Sequence, residues 1–87
     1  MKLIPPSYDL ELAKDLELLF GVATKPAVGR AWVQHGAPAS LTEACEAAAL
    51  LSAFEVGIFL VHPDDSQSVY WTTRAPDVFN TTILEQD

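Results

Sequence analysis

The stretch from residue 40 to residue 74 constrains this chain most. Ser40-Leu41-Thr42-Glu43 is a capping box: the Ser hydroxyl and the Glu carboxylate reciprocally satisfy backbone donors at a helix start. It predicts a helix reaching about Phe54, with Leu41, Ala44, Ala47, Ala48, Leu51 and Phe54 on one face and Cys45 at its edge. The alanines allow close approach to a neighbouring element. Val56-Gly57-Ile58-Phe59-Leu60-Val61-His62 follows as a β-rich run, Pro63-Asp64-Asp65-Ser66 supplies turn residues, and residues 69–73 read as a second strand. The first run is almost continuously apolar, which suits a central, covered strand. A capped helix feeding a β-hairpin over 56–62/68–74 points to an α+β fold.

The flanking segments are read around that unit. Pro5-Pro6 ends any N-terminal strand, Ser7 is the expected N-cap, and Asp9 and Glu11 suit a first helical turn. Tyr8, Leu12, Leu16, Leu19 and Phe20 then share a helical face, with Gly21 as the stop. The repeat Asp9-Leu10-Glu11-Leu12 and Asp15-Leu16-Glu17-Leu18 alternates like a strand, but length favours helix. On such a helix Leu10 and Leu18 lie off the buried stripe, as surface leucines or as contact residues. Val28, Ala31, Trp32 and His35 are spaced as a helix over 24–35, with a strand across 28–34 as the alternative. Residues 76–85 fit either a third strand or a short helix. The expected architecture is about three helices packed on a small antiparallel sheet, in a single domain spanning 1–87.

Charge narrows the partners. Twelve acids against five Lys and Arg give a net charge of −7. Nucleic-acid binding depends on cations that displace phosphate counterions, and an anionic membrane surface asks for the same. Neither is expected; a basic protein surface is. The apolar content of 49% is high for 87 residues. Some of it is expected to face a partner or a second copy, so a homodimer is a further expectation. Cys45 is the only cysteine and forms no intrachain disulfide. With no apolar leader, and no stretch near the ~18 residues a membrane helix needs, the expected location is cytoplasmic. Asn80-Thr81-Thr82 matches a glycosylation acceptor, which carries no weight without an export signal.

No catalytic or metal motif stands out. Cys45 with His35 or His62 has the composition of a nucleophile–base pair, but Glu43, Glu46 and alanines surround the thiol, the opposite of an activating environment. His62, Asp64 and Asp65 cluster at a turn without the spacing of zinc or calcium ligands. The expectation is no enzyme, no metal and no cofactor. Tyr70, Trp71 and Arg74 have a hot-spot composition, and strand alternation predicts that Tyr70 and Trp71 point to opposite faces. Trp32 raises the same question of exposure.

The order helix, helix, helix, strand, turn, strand resembles a winged helix. Its third helix would carry Glu43 and Glu46 with no Lys or Arg, and its wing tip would be Asp64-Asp65, so both would repel DNA. In size and charge the chain also resembles small acidic phage anti-defence inhibitors such as the anti-CRISPR proteins. The expected function is a non-enzymatic interaction module, an inhibitor or adaptor meeting a basic, nucleic-acid-binding protein surface. Glu43, Glu46, Asp64, Asp65, Tyr70, Trp71, Leu10 and Leu18 are its candidate contacts. A structural homo-oligomer is the alternative, and a small ligand-binding protein or enzyme the second alternative.

Overall fold

The computed structural model describes residues 3–85; Lys2 and Asp87, two of the charges counted above, lie outside them. In chain order the elements are α1 (Ser7–Asp15), β1 (Leu19–Lys25), β2 (Val33–Ala39), α2 (Leu41–Leu50), β3 (Glu55–Val61), β4 (Gln67–Thr72) and a 3-10 turn (Thr81–Glu85). The strands form one antiparallel sheet in the order β2-β1-β3-β4. No described helix is long and apolar enough to cross a membrane.

Two α-helices stand where about three were expected. Residues 24–35 are the end of β1, a turn and the start of β2, so the winged-helix order is absent. Gly29, with φ +77°, takes a left-handed turn conformation that breaks the helical spacing. The first helix is also shorter than its apolar pattern suggested. Pro6 occupies its N-cap in place of Ser7. It ends at Leu16, with Glu17 left-handed at φ 54°. The Leu18 N–H bonds the Ala13 carbonyl and the Glu17 N–H bonds the Lys14 carbonyl, the pair that defines a Schellman stop. Leu19, Phe20 and Gly21 therefore begin a strand, and the expected stripe is solvent-exposed at Tyr8 and at Leu16.

Half of the capping box forms as read: the Ser40 hydroxyl accepts from the Glu43 N–H at 3.2 Å, but the Glu43 carboxylate takes that same hydroxyl as its donor, at 3.1 Å, in place of a backbone N–H. The helix stops at Leu50, short of Phe54, because Leu51 is already extended (ψ 146°) and starts the return to β3. Ala47 and Phe54 are exposed, while Leu41, Ala44, Cys45 and Ala48 are buried.

The β1–β3 register puts Phe20 opposite Leu60, Val22 opposite Ile58 and Thr24 opposite Val56. The apolar members of these pairs join α2, Ala13, Ile83 and Leu84 in the core between sheet and helices. The hairpin of β3 and β4 contains a bulge between Ile58 and Phe59, where Val69 faces Phe59 but Trp71 faces Ile58. The extra residue is Tyr70. Alternation fails there, and Tyr70 and Trp71 both enter the same core, each only 1% exposed. The segment after β4 returns along it: the Asn80 N–H bonds the Tyr70 carbonyl, the Asn80 amide donates to the Val69 carbonyl, and the Trp71 indole donates to the Pro76 carbonyl. The open choice over 76–85 thus resolves as a loop and a 3-10 turn.

Candidate functional site

Antiparallel strands joined in this way sort the surface charge. The start of β1, the end of β2, the end of β3 and the start of β4 all lie at one end of the sheet. That end therefore collects the C-terminus of α1 with exposed Asp15 and Glu17, the N-terminus of α2 with exposed Glu43, and the β3–β4 turn with exposed Asp64 and Asp65. Glu46 follows one turn along α2 and is also exposed. The other end holds Lys25, Arg30 and Arg74, the last two exposed, together with buried Glu55 opposite Lys25 and exposed Asp77 in the turn after β4. Carboxylates from three separated segments thus gather at one end, an acidic pole, opposite an end of mixed charge.

A cleft of about 680 Å³ opens between α1 and α2 beside the acidic pole. Leu10, Ala13, Leu18, Leu19 and Leu41 line it, and exposed Glu11, Lys14 and Glu17 stand among the lining residues. It continues into a second groove of about 590 Å³ through shared Leu10 and Thr42, where Leu3, Ile4, Pro5, Ala49 and Leu50 add an apolar lining beside Glu46. The combination is an apolar groove with carboxylates at its margin.

The candidate contacts divide accordingly. Glu43, Asp64 and Asp65 share the acidic pole, with Glu46 next along the helix. Leu10 and Leu18 are half-buried, packing on the core while lining the cleft. Neither stands off the buried side as the extended helix would place it: Leu18 falls beyond the end of α1, and Leu10, on α1, packs partly against the core. Tyr70 and Trp71 are interior residues with no exposed surface to offer. Glu11, Asp15 and Glu17 were missed as contacts. The repeated Asp-Leu-Glu-Leu pattern was their signal, but reading helix through to Gly21 spread its acids over a long surface.

Asp64 is held at the turn by Ser66, whose hydroxyl and backbone N–H both donate to it, at 2.6 and 3.0 Å. The Ser66 hydroxyl, foremost, lowers its carboxyl below the usual range and keeps it ionised. The reactive inventory is dispersed. Cys45 is buried, which, with help from Glu46, pushes its thiol up to about 11. His35 shares a hydrogen bond with Thr24 (2.7 Å), and His62 one with Ser68 (2.7 Å). The latter is the contact a Ser–His nucleophile needs; Asp64 in the adjoining turn accepts from Ser66 through Oδ1, and His62 is among the groups that lower its carboxyl. No group of three or more His, Cys, Asp or Glu among the described residues is arranged to hold a metal ion.

Comparison with models of known families, with curated proteins and with solved structures gives no match to this chain.

Proposed function

We propose that this chain is a non-enzymatic interaction module, an inhibitor or adaptor, whose acidic pole and adjoining apolar groove receive a basic segment of a protein partner. The observation that carries the reading is the convergence of Asp15, Glu17, Glu43, Asp64 and Asp65 at one end of the sheet, beside a cleft lined by leucines. Acids scattered for solubility alone have no reason to converge beside such a cleft. An amphipathic basic helix suits it: apolar side chains enter the groove, and Lys or Arg reach the margin. The surface of a nucleic-acid-binding protein supplies such cations. The size and acidity shared with phage anti-defence inhibitors such as the anti-CRISPR proteins support the same class of partner. A chain of this kind works in the cytoplasm, without a cofactor.

The test is charge reversal. The double variants Glu43→Lys/Glu46→Lys and Asp64→Lys/Asp65→Lys are titrated by calorimetry against a partner captured from the native host, at several salt concentrations. Each pair is expected to weaken binding by at least about tenfold, or ~1.4 kcal/mol, and to flatten its salt dependence. Unchanged affinity in both variants would falsify the electrostatic reading.

A further inference from the structure

A hollow of about 310 Å³ lies on the sheet face turned away from the helices. It shares no lining residue with the groove between α1 and α2. Phe20, Val22, Ile58 and Leu60 point into the core, so Gly21, Ala23, Gly57 and Phe59, which alternate with them, point to this other face. Trp32 and Phe59 wall the hollow, meeting edge-on with ring centroids 5.1 Å apart and planes 78° apart. Gly57 seats both rings: a Cβ there would lie 2.9 Å from the Phe59 ring and 3.3 Å from the Trp32 ring. The Lys25 ammonium, 5.1 Å from the Trp32 ring centroid, adds a cation–π contact that helps fix the indole.

Gly21 is the floor. A Cβ there would sit 3.3 Å from Nε2 of Gln34 and 3.7 Å from Val61, so any side chain at this position takes up the hollow. A glycine inside a strand weakens it, and often marks a place where a ligand approaches the backbone closely. Gln34 on β2 and Gln67 on β4 flank this floor from the two edge strands. Both are exposed, and neither side-chain amide has a hydrogen-bond partner among the described residues. The lining holds no charged side chain, in a protein of net charge −7.

We propose that this hollow is a binding site for one ring of a neutral sugar, a pyranoside. Two free carboxamides beside an aromatic corner, over a glycine floor, match the two chemistries of such a ring. Its C–H face is apolar and packs on an aromatic ring, whose π face is electronegative. Its hydroxyls each donate and accept, and so does a carboxamide: the oxygen accepts from one hydroxyl while the NH2 donates to its neighbour. Ligands of other classes fit less well. A phosphate meets no cation in the lining, and an ammonium meets no carboxylate. A nucleobase gains by stacking on flat rings, but walls crossing at 78° leave no parallel-sided slot for it. The volume stands at the lower end of small-molecule sites, ~300 Å³, which suits a single ring. The site is separate from the groove proposed for a protein partner, so either can fail alone.

Protein-observed NMR of the full chain tests it, with methyl α-glucopyranoside, methyl β-galactopyranoside, methyl α-mannopyranoside and N-acetylglucosamine as probes. At least one should saturate with a dissociation constant on the order of 1 mM, the range open to a ligand of about a dozen heavy atoms. It should shift the side-chain amide signals of Gln34 and Gln67 and the indole N–H of Trp32, and leave that of interior Trp71 in place. Gln34→Ala and Gln67→Ala, both at exposed positions, should each weaken binding at least about fivefold. Gly21→Ala should weaken it at least about tenfold in a folded protein, since only the flexible end of Gln34 has to give way to the new methyl. Leu16→Lys, on the exposed side of α1, should leave it unchanged. The proposal is overturned by no saturable shift with any of these glycosides up to about 50 mM, or by binding indifferent to both folded glutamine variants. Adenosine binding more tightly than every glycoside overturns it too.

Discussion

Asp9 is fully buried, at 0% exposure, and it ties three elements together. Its Oδ2 accepts from the Tyr70 hydroxyl at 2.6 Å and from the Thr81 hydroxyl at 3.1 Å, joining α1, β4 and the 3-10 turn. Its Oδ1 has no hydrogen-bond partner among the described residues. Burial, and then the bond to Asp9, raise the Tyr70 phenol above its ordinary value, so it stays a donor at neutral pH. Removing one member strands the other in the interior. Tyr70→Phe should cost about 2 kcal/mol and Asp9→Ala about 3, while the double variant should cost clearly less than their sum. Urea unfolding of all four proteins measures this, and strictly additive costs would refute the coupling. Cys45 supplies a pH dependence. Its folded value of about 11 lies above the ordinary 9.0, so its contribution is complete below pH 9. Between pH 9 and about 11 the unfolded chain sheds the proton first and stability falls. Midpoints measured at about pH 8 and about pH 10.5 should therefore drop in the parent and drop less in Cys45→Ala. Tyr70 adds loss of the same sign above pH 10, its ordinary value, and keeps doing so in the variant.

Among the elements, the end of α1 directs the whole topology. A non-glycine residue in the left-handed region costs about 1–2 kcal/mol, and Glu17 holds that conformation on an exposed turn. Glycine removes the strain but loses more chain entropy on folding. Glu17→Gly should therefore stabilise by a net ~0.5–1 kcal/mol, raising the melting temperature by several degrees in a domain this small. A lowered melting temperature would show that the turn is held by contacts of the Glu17 side chain. The same turn shows why sequence patterning failed here. Leu16, Leu19 and Phe20 keep helical spacing across it, and no glycine marks the stop. The capped start of α2 and the β3–β4 hairpin were legible because their signals are local: a hydroxyl three residues from a carboxylate, and turn residues between two β-rich runs. The edge strand β2 was obscured because its residues are nearly all exposed and carry no alternating pattern. Its ladder is also broken opposite Gly21, with Gly36 left-handed at φ +74° and Pro38 unable to donate, features that discourage edge-to-edge pairing.

For the molecule as a whole, the net charge of −7 matters less than its arrangement. Surface charges farther apart than ~8 Å are largely screened, so a dispersed excess of acids gives little specificity. Gathered at one pole, the carboxylates act together on a partner, which is why paired reversals are expected to change the salt slope as well as the affinity.

By itself, the sequence determined the α+β class, the capped second helix, the hairpin, the acidity and the burial of an unactivated Cys45. Each follows from residues close in the chain or from composition, which folding does not alter. Only the tertiary structure decided where the first helix ends, that residues 24–35 are not helical, and that a bulge sends Tyr70 and Trp71 into one interior. It also decided that distant acids share one end of the sheet. These outcomes depend on strand register and on what packs against each face, and both are set by contacts between residues tens of positions apart.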